Sequence, residues 1–250
     1  MIRFENVHKS FGSRAILKGV NLDIPSHKTT VIFGVSGGGK STIIKHIVGL
    51  LQPDSGDIYV DDIKVNGADE KSLLKVRKKV GFLFQHGALF DSMNIRDNVA
   101  FPIYEHQKLS EDEVEKLVDE KLSMVGLDPK VVKNLFPDEL SGGMRKRVGL
   151  ARTLALEPEV ILYDEPTSGL DPVTSDLVSQ MIKHLQKTLG VTSILISHDI
   201  KESFKAGDNF VMLFDGKIIA TGDEEFFKTT DNAVISQFIN SRSEGPIQFD

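Results

Sequence analysis

The 250 residues predict an α/β fold, in which a buried parallel sheet carries an antiparallel β-subdomain and an inserted helical subdomain. Three observations predict it. TVIF (30–33), VGFLF (80–84), VILY (160–163) and TSILI (192–196) are short uninterrupted apolar runs, as in strands covered on both faces. IRFENV (2–7), VNLDI (20–24) and DIYV (57–60) alternate in polarity, as in antiparallel strands with one wet face. Between VGFLF and VILY the apolar spacing becomes that of helices.

Each element has its own local reason. TVIF runs through a glycine-rich loop into TIIKHIVGL (42–50), a strand–loop–helix unit. Ser110 and Glu113 form a capping box that opens a helix with Val114, Leu117, Val118, Leu122 and Val125 on one face. Gly126 suits its end. Asp171 before Pro172 is an N-cap with proline at the first helical position. The helix it starts is expected to turn Leu177, Val178, Met181, Ile182 and Leu185 inward. FVMLF (210–214), Asp215-Gly216 and KIIA (217–220) read as a hairpin. The expected organisation is a core at about 1–86 and 158–223, a helical insert at about 87–157, and a tail at 224–250.

Composition narrows the class. Apolar residues are 40% and charged residues 26%, the balance of a globular chain with a sizeable core. A net charge of −6 and a pI near 5.7 give no push toward nucleic acid. The absence of cysteine excludes disulfides, thiol nucleophiles and cysteine metal sites. No run approaches the roughly 18 apolar residues of a membrane span, so any membrane role would be borrowed from a partner. The histidines at 8, 27, 46, 86, 106 and 184 form no metal-ligand spacing.

The glycine loop GVSGGGKST (34–42) carries the chemistry. It matches G-x-x-x-x-G-K-[ST] at Gly34, Gly39, Lys40 and Ser41, between a buried strand and a helix. Glycines, here with Gly37 and Gly38, let main-chain amides curl around phosphate oxygens, and the helix N-terminus adds positive potential. Ser36 and Thr42 complete the loop. Lys40 is expected to reach the β- and γ-phosphates of ATP, and Ser41 to ligate Mg²⁺. The fold is therefore expected to be that of a P-loop NTPase with a RecA-like core. VILYDEP then places Asp164 and Glu165 at the carboxyl edge of the sheet. Asp164 suits the Mg²⁺ shell, and Glu165 is the expected base that polarises the attacking water.

A second glycine loop, LSGGM (140–144), makes the chain resemble the ABC (ATP-binding cassette) ATPases. The motifs run in the family order along nearly the whole chain. Phe11 stands where an aromatic stacks on adenine, and Gln85 resembles the Q-loop glutamine. SGLD (168–171), ending in Asp171, resembles the D-loop, and His198 in ISHD the switch histidine. The resemblance implies that Ser141, Gly142 and Gly143 close over ATP held by a second copy, so a homodimer sandwiches two ATP. It gives Gln85 a part in both the Mg²⁺ shell and hydrolysis, and His198 a contact to the γ-phosphate. Met144 departs from the family's usual glutamine. Arg145, Lys146 and Arg147 read as a solvated basic helix face, with anionic lipid headgroups or a partner as a sharper alternative.

QHGALFDSMNIRDNVAFPI (85–103) resembles the segment that receives a permease's coupling helix, with Ala88, Leu89, Phe90, Met93 and Ile95 as its apolar lining. Together with ALEPEVILYDEPTSGLDPVTS and the ending EGPIQF, it resembles the cassettes of Mla/Mce phospholipid transport systems. That implies an MlaE-like permease, an MlaD-like Mce-domain lipid-binding protein, a small MlaB-like STAS protein, and the cytoplasmic face of the inner membrane. An importer of another solute, or a soluble ABC ATPase serving complex assembly, stays open. The tail SRSEGPIQFD is expected either to fray or to dock on the partner copy through Pro246, Ile247 and Phe249.

Overall fold

The computed structural model describes residues 2–248. The chain opens with β1 (Ile2–Phe11) and β2 (Arg14–Ile24), then enters the core at β3 (Thr29–Phe33) and α1 (Lys40–Ile47). It returns to the first layer for β4 (Ser55–Val60) and β5 (Ile63–Lys64), then passes through α2 (Glu70–Lys79) to β6 (Val80–Leu83). An all-helical stretch follows: α3 (Ile95–His106), α4 (Glu111–Met124), α5 (Pro129–Val132) and α6 (Gly142–Leu154). The chain re-enters the core with β7 (Val160–Asp164), α7 (Pro172–Leu189), β8 (Thr192–Ile196) and α8 (Ile200–Ala206). It closes with β9 (Asn209–Phe214), β10 (Lys217–Gly222), α9 (Glu224–Thr229) and α10 (Ala233–Ile239).

Two sheets result. β2-β1-β4-β5 is antiparallel, and β10-β9-β3-β8-β7-β6 is parallel except for the edge strand β10. The parallel sheet separates two apolar cores with strict period-two alternation. In β3, Ile32 faces α1 and the antiparallel sheet, with Phe4, Val7 and Ile43. Val31 and Phe33 face the other way, with Val148, Val178 and Phe210. The four uninterrupted apolar runs are the strands with helices or a sheet on both faces.

The differences from the sequence reading have local causes. β1 and β2 run further than their alternation suggested, because the register shifts between Phe4 and Val7, where Asn6 takes φ 48. The helix α2 has only a short apolar stripe, buried Val76 with partly covered Leu73, and it is capped by Asp69 accepting from the Ser72 amide. In α4, Val114, Val118 and Leu122 are buried, and Glu113 accepts from the Ser110 amide at 2.8 Å. In α7, Val178, Ile182 and Leu185 face inward, but Leu177 is 46% exposed. It lies four residues from the exposed Val173, off the buried stripe.

The tail is also corrected. Buried Gln237 clasps Ile247: its Oε1 accepts from the Ile247 amide (2.7 Å) and its Nε2 donates to the Ile247 carbonyl (3.1 Å). Ile247 is therefore neither frayed nor free to anchor a partner copy. Pro246 is exposed, and Phe249 lies outside the described residues.

Candidate functional site

The strand order β3-β8-β7-β6 sets four carboxyl ends in one row. The phosphate loop follows β3, His198 follows β8, Asp164 ends β7 with Glu165 next, and Gln85 follows β6. Residues more than a hundred positions apart thus meet along a single edge.

The loop after β3 is shaped by its glycines. A Cβ on Gly34 would lie 2.4 Å from the Leu213 carbonyl oxygen, so only glycine fits. Gly39 sits at φ 103 as the N-cap of α1. Phe11, Ser36, Gly37, Gly39, Lys40, Ser41, Thr42, Glu165 and His198 line one cleft. A trough of about 600 Å³ continues it past Ile16, Ser36, Gly37 and Gly38. Phe11 is half-exposed, with the Lys9 ammonium 5.5 Å from its ring centroid.

Lys40 is buried, and its Nζ donates to the carbonyls of Gly34 (2.7 Å) and Val35 (2.9 Å). Burial pushes its pKa down to about 8, against the pull of Glu165 and Asp164. Ser41 Oγ donates to Asp164 Oδ1 at 2.9 Å. Burial raises the Asp164 pKa, partly offset by that hydrogen bond. A half-buried carboxylate beside a hydroxyl suits Mg²⁺, which takes few protein oxygens and fills its remaining positions with water and phosphate. The residues present fit MgATP. When bound, the metal supplies positive charge to oxygens where negative charge develops.

Glu165 is gripped from two sides. His198 Nε2 lies 2.7 Å from its Oε1, and Gln85 Nε2 donates to its Oε2 at 3.0 Å. Gln85 also donates to Ser168 Oγ (3.2 Å), so its side-chain amide hydrogen bonds link it to Glu165 and Ser168 rather than to Ser41 or Asp164. Glu165 takes φ 51, a left-handed conformation that surrounding contacts must hold.

Ser141, Gly142, Gly143 and Asp171 stand outside this cleft. Ser141 caps α6, accepting from the Met144 amide at 3.2 Å, and stays exposed. A Cβ on Gly143 would meet Thr174 Cγ2 at 2.5 Å, so the loop packs against the start of its own α7. The Asp171 carboxylate caps that helix, accepting from Val173 and Thr174 amides.

The basic run is not a solvated face. Lys146 is buried, and Arg147 donates to the Gly126 carbonyl at 2.9 Å. Burial lowers the pKa of both. In the segment after Gln85, Phe90 is 41% exposed and Ala88 is exposed, while Leu89 and Met93 are partly covered. Ile95 is fully buried and belongs to the core.

Two residues of this region carry no sequence signal. Buried Asn98 donates to the carbonyls of Phe90, Met93 and Asn94 and accepts from the Phe90 amide, fixing the loop. Arg152 reaches from α6 to the Ala88 carbonyl (2.8 Å). Only a helix lying alongside the loop, unknown before folding, reveals that contact.

The fold and this row of side chains define a P-loop ATPase. Residues 17–168 match the ABC transporter family model, and the chain belongs to that family. It is 44% identical over 246 residues to the "probable ribonucleotide transport ATP-binding protein mkl" of Mycobacterium leprae, covering 98% of this chain and 70% of that one. It is 40% identical over 249 residues to the "intermembrane phospholipid transport system ATP-binding protein MlaF" of Haemophilus influenzae, covering 100% and 94%. The structure of a dimeric ATP-binding cassette in a post-hydrolysis state with ADP and Pi superposes with a TM-score of 0.81 at 35% identity, covering 89% and 98%. The chain is a transport-coupled ATPase with ATP and Mg²⁺ as cofactors.

Proposed function

We infer that two copies of this chain sandwich two ATP molecules and power phospholipid movement through a membrane permease. The observation that carries the dimer is the separation of the two glycine loops: no residue of Ser141–Gly143 lines the cleft that holds Lys40, Ser41 and Glu165. A second copy supplies the missing hydroxyl and amides at a helix N-terminus, where phosphate binds well. In this reading Lys40 and the loop amides bind phosphate, Ser41 and Asp164 hold Mg²⁺, and Phe11 stacks on the base. Glu165 takes the proton of the attacking water, and His198 orients it against the γ-phosphate. Gln85, bonded to Glu165 here, would join Ser41 and Asp164 in holding the metal when nucleotide is bound. The division into a core (1–86, 158–223), a moving helical insert (87–157) and a tail (224–250) belongs to the same proposal.

The lipid cargo is supported by the MlaF relative, matched nearly end to end. Among the described residues no helix is long and apolar enough to cross a membrane, so the path lies in partners. These are an MlaE-like permease docking near Phe90, an MlaD-like Mce-domain protein and a small MlaB-like STAS protein, at the cytoplasmic face of the inner membrane. The mkl relative favours ribonucleotide as the competing cargo. Gentle extraction of an N-terminally tagged complex, with mass spectrometry of its proteins and bound lipids, separates the two. A multi-span permease, an Mce-domain protein and phospholipid are expected. A permease with a soluble-solute receptor would replace lipid with the competing cargo.

A further inference from the structure

The helix α6, which starts at the second glycine loop, carries a buried cation to which the proposed mechanism gives no task. Lys146 sits in its second turn and is 7% exposed. Its Nζ donates to the main-chain carbonyls of Glu165 (3.3 Å) and Ser168. Among the described residues no ion pair joins it to a carboxylate; the Glu165 charge acts only through space. This is a costly place for a lysine. A buried charge needs compensation, and the start of a helix presents positive potential to it. A lysine with no task here would extend its stem and put its ammonium in water.

The two carbonyls that compensate it bracket one turn. Ser168 N–H donates back to the Glu165 carbonyl at 3.2 Å, closing residues 165–168 on themselves. That turn contains the left-handed Glu165 and receives the Gln85 amide at Ser168 Oγ. One ammonium therefore ties the helix that begins at the second glycine loop to the main chain from which the catalytic base projects. The same glycine loop also packs, at Gly143, against Thr174 of α7.

We propose that Lys146 is a positioning residue, a strut by which displacement of Ser141–Gly143 toward the partner's nucleotide shifts the Glu165–Ser168 turn of the same chain. Each copy then senses through its own α6 that it has closed over the other's ATP, and only then releases Glu165 from His198 and Gln85. The coupling to nucleotide rests on the dimeric ATPase reading; the strut itself does not.

Two measurements on the full-length protein test it. In the nucleotide-free chain, K146M should speed hydrogen exchange at the Ser168 and Leu170 amides by about tenfold or more, with β7 and the phosphate loop unchanged. In MgATP turnover, K146M should lower kcat by about tenfold while KM stays within about twofold, and K146R should recover most of the loss. Unchanged exchange at 168–170 overturns the strut. A kcat within twofold of the parent, or a KM that rises as much as kcat falls, overturns the coupling. K146Q, whose amide is neutral and reaches less far than the lysine ammonium, is the second variant should K146M not fold. It should show the same signs at smaller size, and its equality with the parent in both readouts also overturns the proposal. An inactive parent protein would instead sink the ATPase reading and leave the exchange result to judge the strut.

Discussion

In the first glycine loop Lys40 is buried and bound to two carbonyls of that loop, and Ser41 is bound to Asp164. In the second, Ser141 is exposed and holds only the amide three residues on. The first is thus organised by its own chain before any ligand arrives, with Glu165 already held by His198 and Gln85. The second has a formed helix start whose Ser141 bonds, among the described residues, only to its own helix. On the proposed dimeric reading, the difference teaches that binding and hydrolysis are built on different conditions: one copy suffices to bind nucleotide, whereas catalysis waits for another.

Four experiments break or sharpen that contrast. Glu165→Gln should have the largest effect, lowering hydrolysis by roughly 10²–10³-fold with ATP affinity little changed. Dimers should then accumulate with ATP in size-exclusion chromatography, and substantial turnover would remove Glu165 from its role. Lys40→Ala should weaken ATP binding about 10–100-fold in calorimetry, since a charge-assisted contact to phosphate is lost. Unchanged affinity would mean that Lys40 serves only its own loop. Ser141→Gly keeps most of the helix cap, so stability should shift by only a few tenths of a kcal/mol. Its hydrolysis should fall about tenfold while ATP binding by the single copy stays the same. A matched fall in binding would place Ser141 in its own chain's cleft.

The smallest contrast compares alanine at two glycines. A Cβ at Gly39, with φ 103, meets Ile16 Cγ2 at 2.8 Å, whereas at Gly142 the nearest atom is 3.6 Å away. Gly39→Ala should cost about 1–3 kcal/mol in denaturant unfolding. Gly142→Ala should stay within about 0.5 kcal/mol. Equal costs would show that the second loop is as constrained in one copy as the first.

The sequence was legible where chemistry is local. The strand–loop–helix around Lys40 and the acidic end of β7 announce themselves, because glycine spacing and apolar runs are written in consecutive residues. The meeting of Glu165, His198 and Gln85 was legible only through family order, since it depends on β8 lying between β3 and β7. What escaped depends on packing between distant segments. Arg145–Arg147 reads as a wet basic face, yet Lys146 and Arg147 find main-chain carbonyls that only the folded chain brings near. Leu177 and Ile95 exchange roles with expectation for the same reason: an apolar side chain does not say which neighbour covers it. The helix α2 escaped because its stripe is only Leu73 and Val76, too short to read among its lysines and arginine.

The clasp of Gln237 on Ile247 closes one wall of a cavity of about 370 Å³ whose other wall includes Ser36 and His198. Ser243 lies in that wall and belongs to no nucleotide motif. Since the chain has no cysteine, Ser243→Cys would accept a single environment-sensitive dye without background labelling. Its emission would report nucleotide arrival and departure in real time, turning the chain end into a built-in optical gauge of the ATP cycle.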